Sequence, residues 1–139
     1  MSQIRLPNTT MTNVMSAMTM MVVLILMLQL HEAKAATYIV GDQRGWTIPP
    51  YDNYYKTWAS KHRVKVNDIL VFKFEYGKQN WAWVERHDYN VCNTTAVPVV
   101  ASKYTIVLRV LTPTTFHFMC SFPGHCSRGQ KMSLTVVCA

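Results

Sequence analysis

Acidic side chains are scarce in this sequence of 139 residues, which has seven Asp and Glu against fourteen Lys and Arg, a formal net charge of +7. It contains no nucleophile–base pair, no carboxylate dyad and no phosphate-binding glycine loop, which argues against an enzyme. The basic residues are scattered and no nucleic-acid reading motif is recognisable, which argues against nucleic-acid binding. The positive charge favours an acidic partner, either an unidentified protein or a polysaccharide.

Long hydrophobic runs are also lacking, except near the N-terminus. Residues 18–30 read MTMMVVLILMLQL, a run shorter than the roughly 20 residues that span a bilayer. Ala33-Lys34-Ala35 follows with the small-x-small form of a signal-peptidase site. We predict a signal peptide over residues 1–35, cleaved after Ala35 or Ala36, and one secreted domain over 36–139 without a stable membrane anchor. An uncleaved signal anchor is the alternative.

Alternating apolar and polar residues predict a succession of short strands in the domain. Turn signals such as Pro49-Pro50, Asn67-Asp68 and Pro123-Gly124 separate them. The predicted strands cover residues 37–42, 62–66, 68–76, 81–85, 104–111, 115–120 and 131–138. This spacing is typical of an all-β antiparallel sandwich or barrel. Residues 51–62 are the one segment that favours a short helix.

All four cysteines lie in the predicted domain, at positions 92, 120, 126 and 138, and permit three full pairings. Cys138 comes at the far end of the last predicted strand, about 20 Å from the start of that strand. Bridged cysteines have Cα atoms within about 7 Å, so a bridge between Cys138 and Cys120 is disfavoured. We expect Cys138 to be unpaired or to form an intermolecular disulfide.

The segment CSFPGHCSRGQK places Cys120, His125 and Gln130 at Cys-x4-His-x4-Gln spacing. A thiolate, an imidazole and a weak third donor in a loop between two strands are the kind of ligands that an electron-transfer copper ion uses. Zinc is a weaker interpretation, because the paired CxxC spacing of structural zinc sites is missing.

Several landmarks now identify a resemblance that covers Thr37 to Val137. They are YIVGDQRGWT, YYKTWA, VNDILVFKFEY, YNVCN and FMCSFPGHCSRGQK. In this order and spacing the chain resembles the phytocyanins, plant blue copper proteins of the cupredoxin fold, and its basic content is most similar to their plantacyanin (basic blue protein) branch. The resemblance implies a Greek-key β-sandwich with one or two short helices, secretion to the extracellular apoplast and an acidic wall-matrix or protein partner.

The resemblance also implies roles for individual residues. Cys120 matches the family's copper thiolate and His125 its loop imidazole. Gln130 stands at the axial position, where stellacyanin-like members also have glutamine. Cys92 and Cys126 match the family's disulfide.

The sequence departs from the family at the second imidazole. In the family this histidine precedes the first disulfide cysteine by thirteen residues, and counting back from Cys92 reaches Gln79, followed by Asn80. Relatives of the early-nodulin-like kind have also lost copper ligands. We therefore expect a degenerate type-1 site in a non-catalytic cell-surface or wall interaction module. The alternative is a small blue copper electron carrier that uses Cys120, His125 and Gln130. Three states of the site stay open: an intact type-1 site with one copper ion, weak or altered metal binding, and no physiological metal. The last is favoured.

The remaining features have simpler interpretations. Asn93 begins the sequon Asn93-Thr94-Thr95 and is a glycosylation candidate. Trp46 and Trp58 are expected in the core, whereas Trp81 and Trp83 share one strand face beside the predicted metal pocket. The other histidines of the domain are expected to be ordinary surface or half-buried residues; they are His62, His87 and His117.

Overall fold

A computed structural model of the chain describes residues 9–29, 34–95, 97, 99–101 and 105–139. The chain divides into two compact units, Met1–Lys34 and Ala35–Ala139. In the first, helix α1 spans Thr9–Gln29. Its segment Met11–Leu28 is exposed, and by length and composition it could cross a membrane, a test that an N-terminal signal sequence also passes. This apolar segment is longer than the run read from the sequence. The signal peptide stays a prediction, and Ala33 of its cleavage site lies outside the described residues.

The second unit contains two sheets. The three-stranded sheet has the order β1 (Thr37–Ile39), β2 (Ile69–Lys73) and β5 (Thr105–Arg109). The four-stranded sheet has the order β4 (Val99–Ala101), β3 (Trp81–Val84), β6 (Thr115–Met119) and β7 (Lys131–Thr135). Every neighbouring pair is antiparallel except β1 and β2, which are parallel. A parallel pair needs a long crossover, and the segment from Val40 to Asp68 supplies it.

Short helices connect the strands. Helix α2 (Tyr54–Ser60) lies inside the segment predicted to be helical, whereas helix α3 (Arg86–Val91) and strand β4 were not predicted. Helix α3 buries none of its residues, so no apolar stripe marks it in the sequence. A 3₁₀ turn covers Asp42–Arg44.

The predicted strand at residues 62–66 is wrong, because only an isolated bridge joins Lys65 to Val137. The Asp68 carboxylate accepts hydrogen bonds from the backbone N–H groups of Lys65 and Ala36, both at 2.8 Å. A side chain thus occupies backbone donors that a strand would use.

Aromatic side chains from both sheets fill the core. Phe72 of β2 and Phe118 of β6 are fully buried, and their ring centroids lie 5.1 Å apart. Trp46 and Trp58 are buried as predicted, at 0% and 4% exposure. The tryptophans of β3 differ: Trp81 is buried against Phe118, whereas 45% of the Trp83 surface is exposed. Although they share a strand face, they do not form an exposed pair.

Candidate metal centre

The segment of residues 120–130, called the metal loop below, joins β6 to β7, and the pairing of these strands brings its two ends together. Met119 and Lys131 are register partners. The residues that adjoin them, Cys120 and Gln130, therefore lie opposite each other where the two strands end. The backbone N–H of Cys120 donates to the Gln130 carbonyl at 3.0 Å, and the N–H of Gln130 donates to the His125 carbonyl at 3.0 Å. The loop therefore closes on itself.

Three side-chain donors converge inside this loop. The Sγ atom of Cys120 lies 3.4 Å from Nδ1 of His125, and the same Nδ1 lies 2.9 Å from Oε1 of Gln130. Cys120 and Gln130 are fully buried, whereas His125 is half-buried. The structure thus brings together all three residues that the loop spacing singled out.

The separations between these donors suit a small thiophilic metal ion. With metal–sulfur and metal–nitrogen bonds of about 2.3 and 2.0 Å, the two ligand atoms stand about 3.5 Å apart, close to the 3.4 Å observed. Oε1 of Gln130 lies 2.9 Å from the same His125 nitrogen, while the buried Nε2 of Gln130 has no hydrogen-bond partner among the described residues. Three donors therefore fit an ion such as copper, which uses a thiolate, imidazole and a weak oxygen donor.

The fourth predicted position, Gln79, is turned to another partner. Its Nε2 donates to Oγ1 of Thr47 at 3.2 Å. Within the described ranges no group of three or more His, Cys, Asp and Glu side chains could hold a metal ion. The centre thus has one thiol, one imidazole and one amide, and no second imidazole comes from the residues that the structure describes.

Asn80 connects the Gln79 segment to the metal loop, a role that sequence reasoning missed. Its backbone N–H donates to Cys120 Sγ at 3.4 Å, its Oδ1 accepts from the Ser121 N–H at 2.7 Å, and its Nδ2 donates to Ser121 Oγ at 2.6 Å. Asn80 is buried. Because Gln79 directly precedes Asn80, these contacts hold its backbone near the metal loop. That Gln79 stands at the position of the missing histidine stays a prediction. The asparagine retained after the missing histidine was the only signal in the sequence.

The electrostatic surroundings of the thiol favour its protonated form. Burial raises the pKa of Cys120, and the N–H groups of Asn80 and Phe122 offset part of that rise. A metal ion that binds here must therefore displace a proton from Sγ.

A disulfide joins Cys92 to Cys126, the pairing that the resemblance implied. Cys92 ends α3 in a left-handed conformation with φ of 52°, and Cys126 directly follows His125. The bridge therefore attaches the metal loop to α3. Cys120 and Cys138 are free, the first buried and the second exposed.

The other histidines make their described contacts elsewhere. The His62 ring stacks on Trp58 at 4.2 Å, and the His117 ring packs against Tyr89 at 5.0 Å. Burial lowers the pKa of His117. His87 is exposed in α3.

The predicted glycosylation site is an ordered turn. Nδ2 of Asn93 donates to Asp88 at 2.8 Å, and Oγ1 of Thr95 donates to Oδ1 of Asn93 at 2.7 Å. Asn93 is half-buried, and its modification stays a prediction.

Known proteins are similar to this chain over most of its length. Residues 46–130 match the plastocyanin-like domain model. Early nodulin-like protein 14 of Arabidopsis thaliana is 37% identical over 107 residues, which cover 76% of this chain and 59% of that protein. The basic blue protein of the same plant is 33% identical over 121 residues, covering 86% of this chain and 88% of its own length. The chain therefore spans less than two thirds of the length of early nodulin-like protein 14.

Among solved structures, cucumber stellacyanin in its Cu²⁺ form superimposes with a TM-score of 0.70 at 32% identity. The match covers 76% of this chain and 98% of stellacyanin.

Proposed function

Because this chain belongs to the phytocyanin family of plastocyanin-like domains, we propose that it is a secreted, non-catalytic interaction module of the cell surface or wall with a degenerate copper site. Membership confirms the predicted cupredoxin β-sandwich. The observation that carries the proposal is the hydrogen bond from Gln79 to Thr47, which directs the amide to a neighbouring segment.

The donor chemistry supports a weakened site. An electron-transfer copper ion prefers one thiolate and two imidazoles in a near-trigonal plane, with a weak axial ligand. Here Cys120 and His125 would supply the thiolate and one of the two imidazoles, and Gln130 would supply a weak amide oxygen. An amide oxygen from Gln79 is a harder donor than imidazole nitrogen, so even a rotated Gln79 would replace the missing ligand poorly.

Two features support secretion. The apolar helix α1 near the N-terminus fits a signal peptide. The disulfide between Cys92 and Cys126 is of the kind that persists in oxidising compartments.

A second candidate function, a small copper electron carrier, is favoured by one specific observation. Gln130 is fully buried, its Oε1 lies 2.9 Å from Nδ1 of His125, and its Nε2 has no partner within the described part of the chain. An unsatisfied buried amide costs about 1–3 kcal/mol, which an apolar residue would avoid. Copper bound by Cys120, His125 and Gln130 would supply one-electron transfer, and the exposed part of His125 would be the route for the electron.

Titration of the purified protein with Cu(II) separates the two functions. The proposed function predicts no intense thiolate-to-copper absorption band and an unchanged thermal midpoint. Gln79→His should create the band, because it restores the second imidazole beside Cys120. Thr135→His is the matched control. Thr135 is exposed and is the last residue of β7, whereas Gln130 directly precedes the first residue of that strand.

Stoichiometric copper uptake with an intense band in the unmodified protein would establish the electron carrier instead. If Gln79→His binds copper no better than Thr135→His, then Gln79 does not occupy the ligand position.

A further inference from the structure

A groove of about 590 Å³ lies beside the 3₁₀ turn, away from the residues of the metal loop. Its walls come from β1, from the turn itself, from His62 and from Lys73 at the end of β2. No residue of the predicted metal centre lines it, and neither of the proposed functions uses it.

The turn packs against the end of β2, so that Arg44 of the turn and Lys73 of β2 line the same groove. Gly45 has φ of 71°, and a Cβ atom there would lie 2.7 Å from the Lys73 carbonyl oxygen, so the absence of a side chain allows this close approach. The backbone N–H of the following residue, Trp46, donates to the same oxygen at 2.7 Å. Arg44 and Lys73 are both exposed and both line the groove.

Neither of these two cations forms an ion pair with an acidic side chain among the described residues. The ion pair found there is Lys78 with Glu75. Two cations that line one groove can both attract an anionic ligand. The planar guanidinium of Arg44 is suited to pair with a carboxylate through two hydrogen bonds.

The groove also offers a carboxylate that can accept hydrogen bonds from hydroxyl groups, and an aromatic ring. Oδ1 of Asp42 accepts a hydrogen bond from Trp58 Nε1 at 3.0 Å, which leaves its other oxygen for a ligand. The half-buried ring of Tyr38 packs edge-on to His62 at 5.4 Å. His62 Nδ1 lies 2.7 Å from the Trp58 carbonyl and donates to it. The other ring nitrogen, Nε2, lacks a hydrogen bond to the described residues and can accept one from a ligand.

We propose that this groove binds a carboxylated oligosaccharide, such as a chain of uronic acid residues, through Arg44 and Lys73. Each unit of such a chain has one carboxylate for the cations, hydroxyl groups for Asp42 and an apolar sugar face for Tyr38. A sulfated or phosphorylated polymer fits less well, because its denser negative charge meets the Asp42 carboxylate. An acidic peptide lacks the hydroxyl groups that match Asp42. The inference rests on the proposed role as an extracellular interaction module and names its partner.

The test is calorimetric titration of the protein, expressed as the full-length chain in a secretory host, with a decamer of galacturonate at fixed salt concentration. The fully methyl-esterified decamer should bind at least ~10-fold more weakly. Arg44→Gln and Lys73→Gln should each weaken binding of the free acid by about 10-fold. Lys56→Gln and Arg128→Gln are matched controls, because they remove the same charges from exposed positions outside the groove, and they should change affinity by less than about twofold.

Four outcomes would overturn the inference. The first is no binding of the decamer, and the second is equal weakening by all four substitutions, which indicates diffuse charge attraction. The third is polyglutamate binding as tightly as the decamer through the same two residues, and the fourth is tighter binding of dextran sulfate through them. Unchanged thermal midpoints of the variants would show that the domain stays folded.

Copper titration of the same samples keeps this inference separate from the proposed function. Failed decamer binding without a copper band overturns the groove alone. A copper band with intact decamer binding overturns the degenerate site alone.

Discussion

Replacement of Asn80 by alanine should destabilise the domain, because it removes the side-chain hydrogen bonds between Asn80 and Ser121. The Asn80 side chain makes two hydrogen bonds to Ser121, one with the backbone N–H at 2.7 Å and one with Oγ at 2.6 Å. Asn80→Ala removes both and leaves the Ser121 N–H without its partner. The backbone contacts of residue 80, including its carbonyl with Trp46 Nε1 at 2.9 Å, are retained.

The expected loss follows from these contacts. Each hydrogen bond contributes about 1 kcal/mol, and a buried group left unsatisfied costs about 1–3 kcal/mol. We therefore expect Asn80→Ala to lower the free energy of unfolding by about 2–4 kcal/mol. For a domain of about 100 residues, this corresponds to a thermal midpoint lower by roughly 8–16 °C.

Urea unfolding and calorimetry of both proteins measure the effect. Ser121→Ala removes only the Oγ contact and should lower stability by about half as much, and the double variant should lose less than the sum of the single losses. Asn90→Ala, at an exposed position of α3, should change stability by less than about 0.5 kcal/mol. A loss below about 0.5 kcal/mol for Asn80→Ala would refute the idea that Asn80 connects the two segments.

Four further predictions concern other parts of the domain. Replacing Cys92 and Cys126 together by alanine should cost about 3–4 kcal/mol in urea unfolding, because their bridge closes a loop with a sequence separation of 34; an unchanged midpoint would contradict this. The lowered pKa of His117 means that the unfolded chain takes up this proton first as the pH falls, so stability should fall from about pH 7 to 5, and His117→Gln should reduce that slope. Non-reducing electrophoresis should show a disulfide-linked dimer that Cys138→Ser abolishes, since Cys138 is free and exposed. Glycosidase treatment of the secreted protein should lower its mass, whereas Asn93→Gln should make its mass insensitive to the enzyme.

Local patterns were sufficient to predict much of the fold. Period-two alternation marks β2 and β6, because each buries one face against the core. The same pattern misled at residues 62–66, where the Asp68 carboxylate takes the backbone donor of Lys65. Helix α3 has no buried residue, so its formation depends on the chain around it and leaves no periodic signal.

The sequence by itself determined the donors of the metal loop. Cys120, His125 and Gln130 lie within eleven consecutive residues between two paired strands. A short loop between neighbouring strands keeps its residues close, so their spacing was enough to bring the donors together.

Only the tertiary structure decided where the more distant residues meet. The contact of Gln79 with Thr47 spans 32 positions, and that of Asn80 with Ser121 spans 41. The presence of both Arg44 and Lys73 in the groove likewise depends on the turn packing against β2. Such contacts are set by how the two sheets and their connecting segments pack, and no local periodicity encodes that packing.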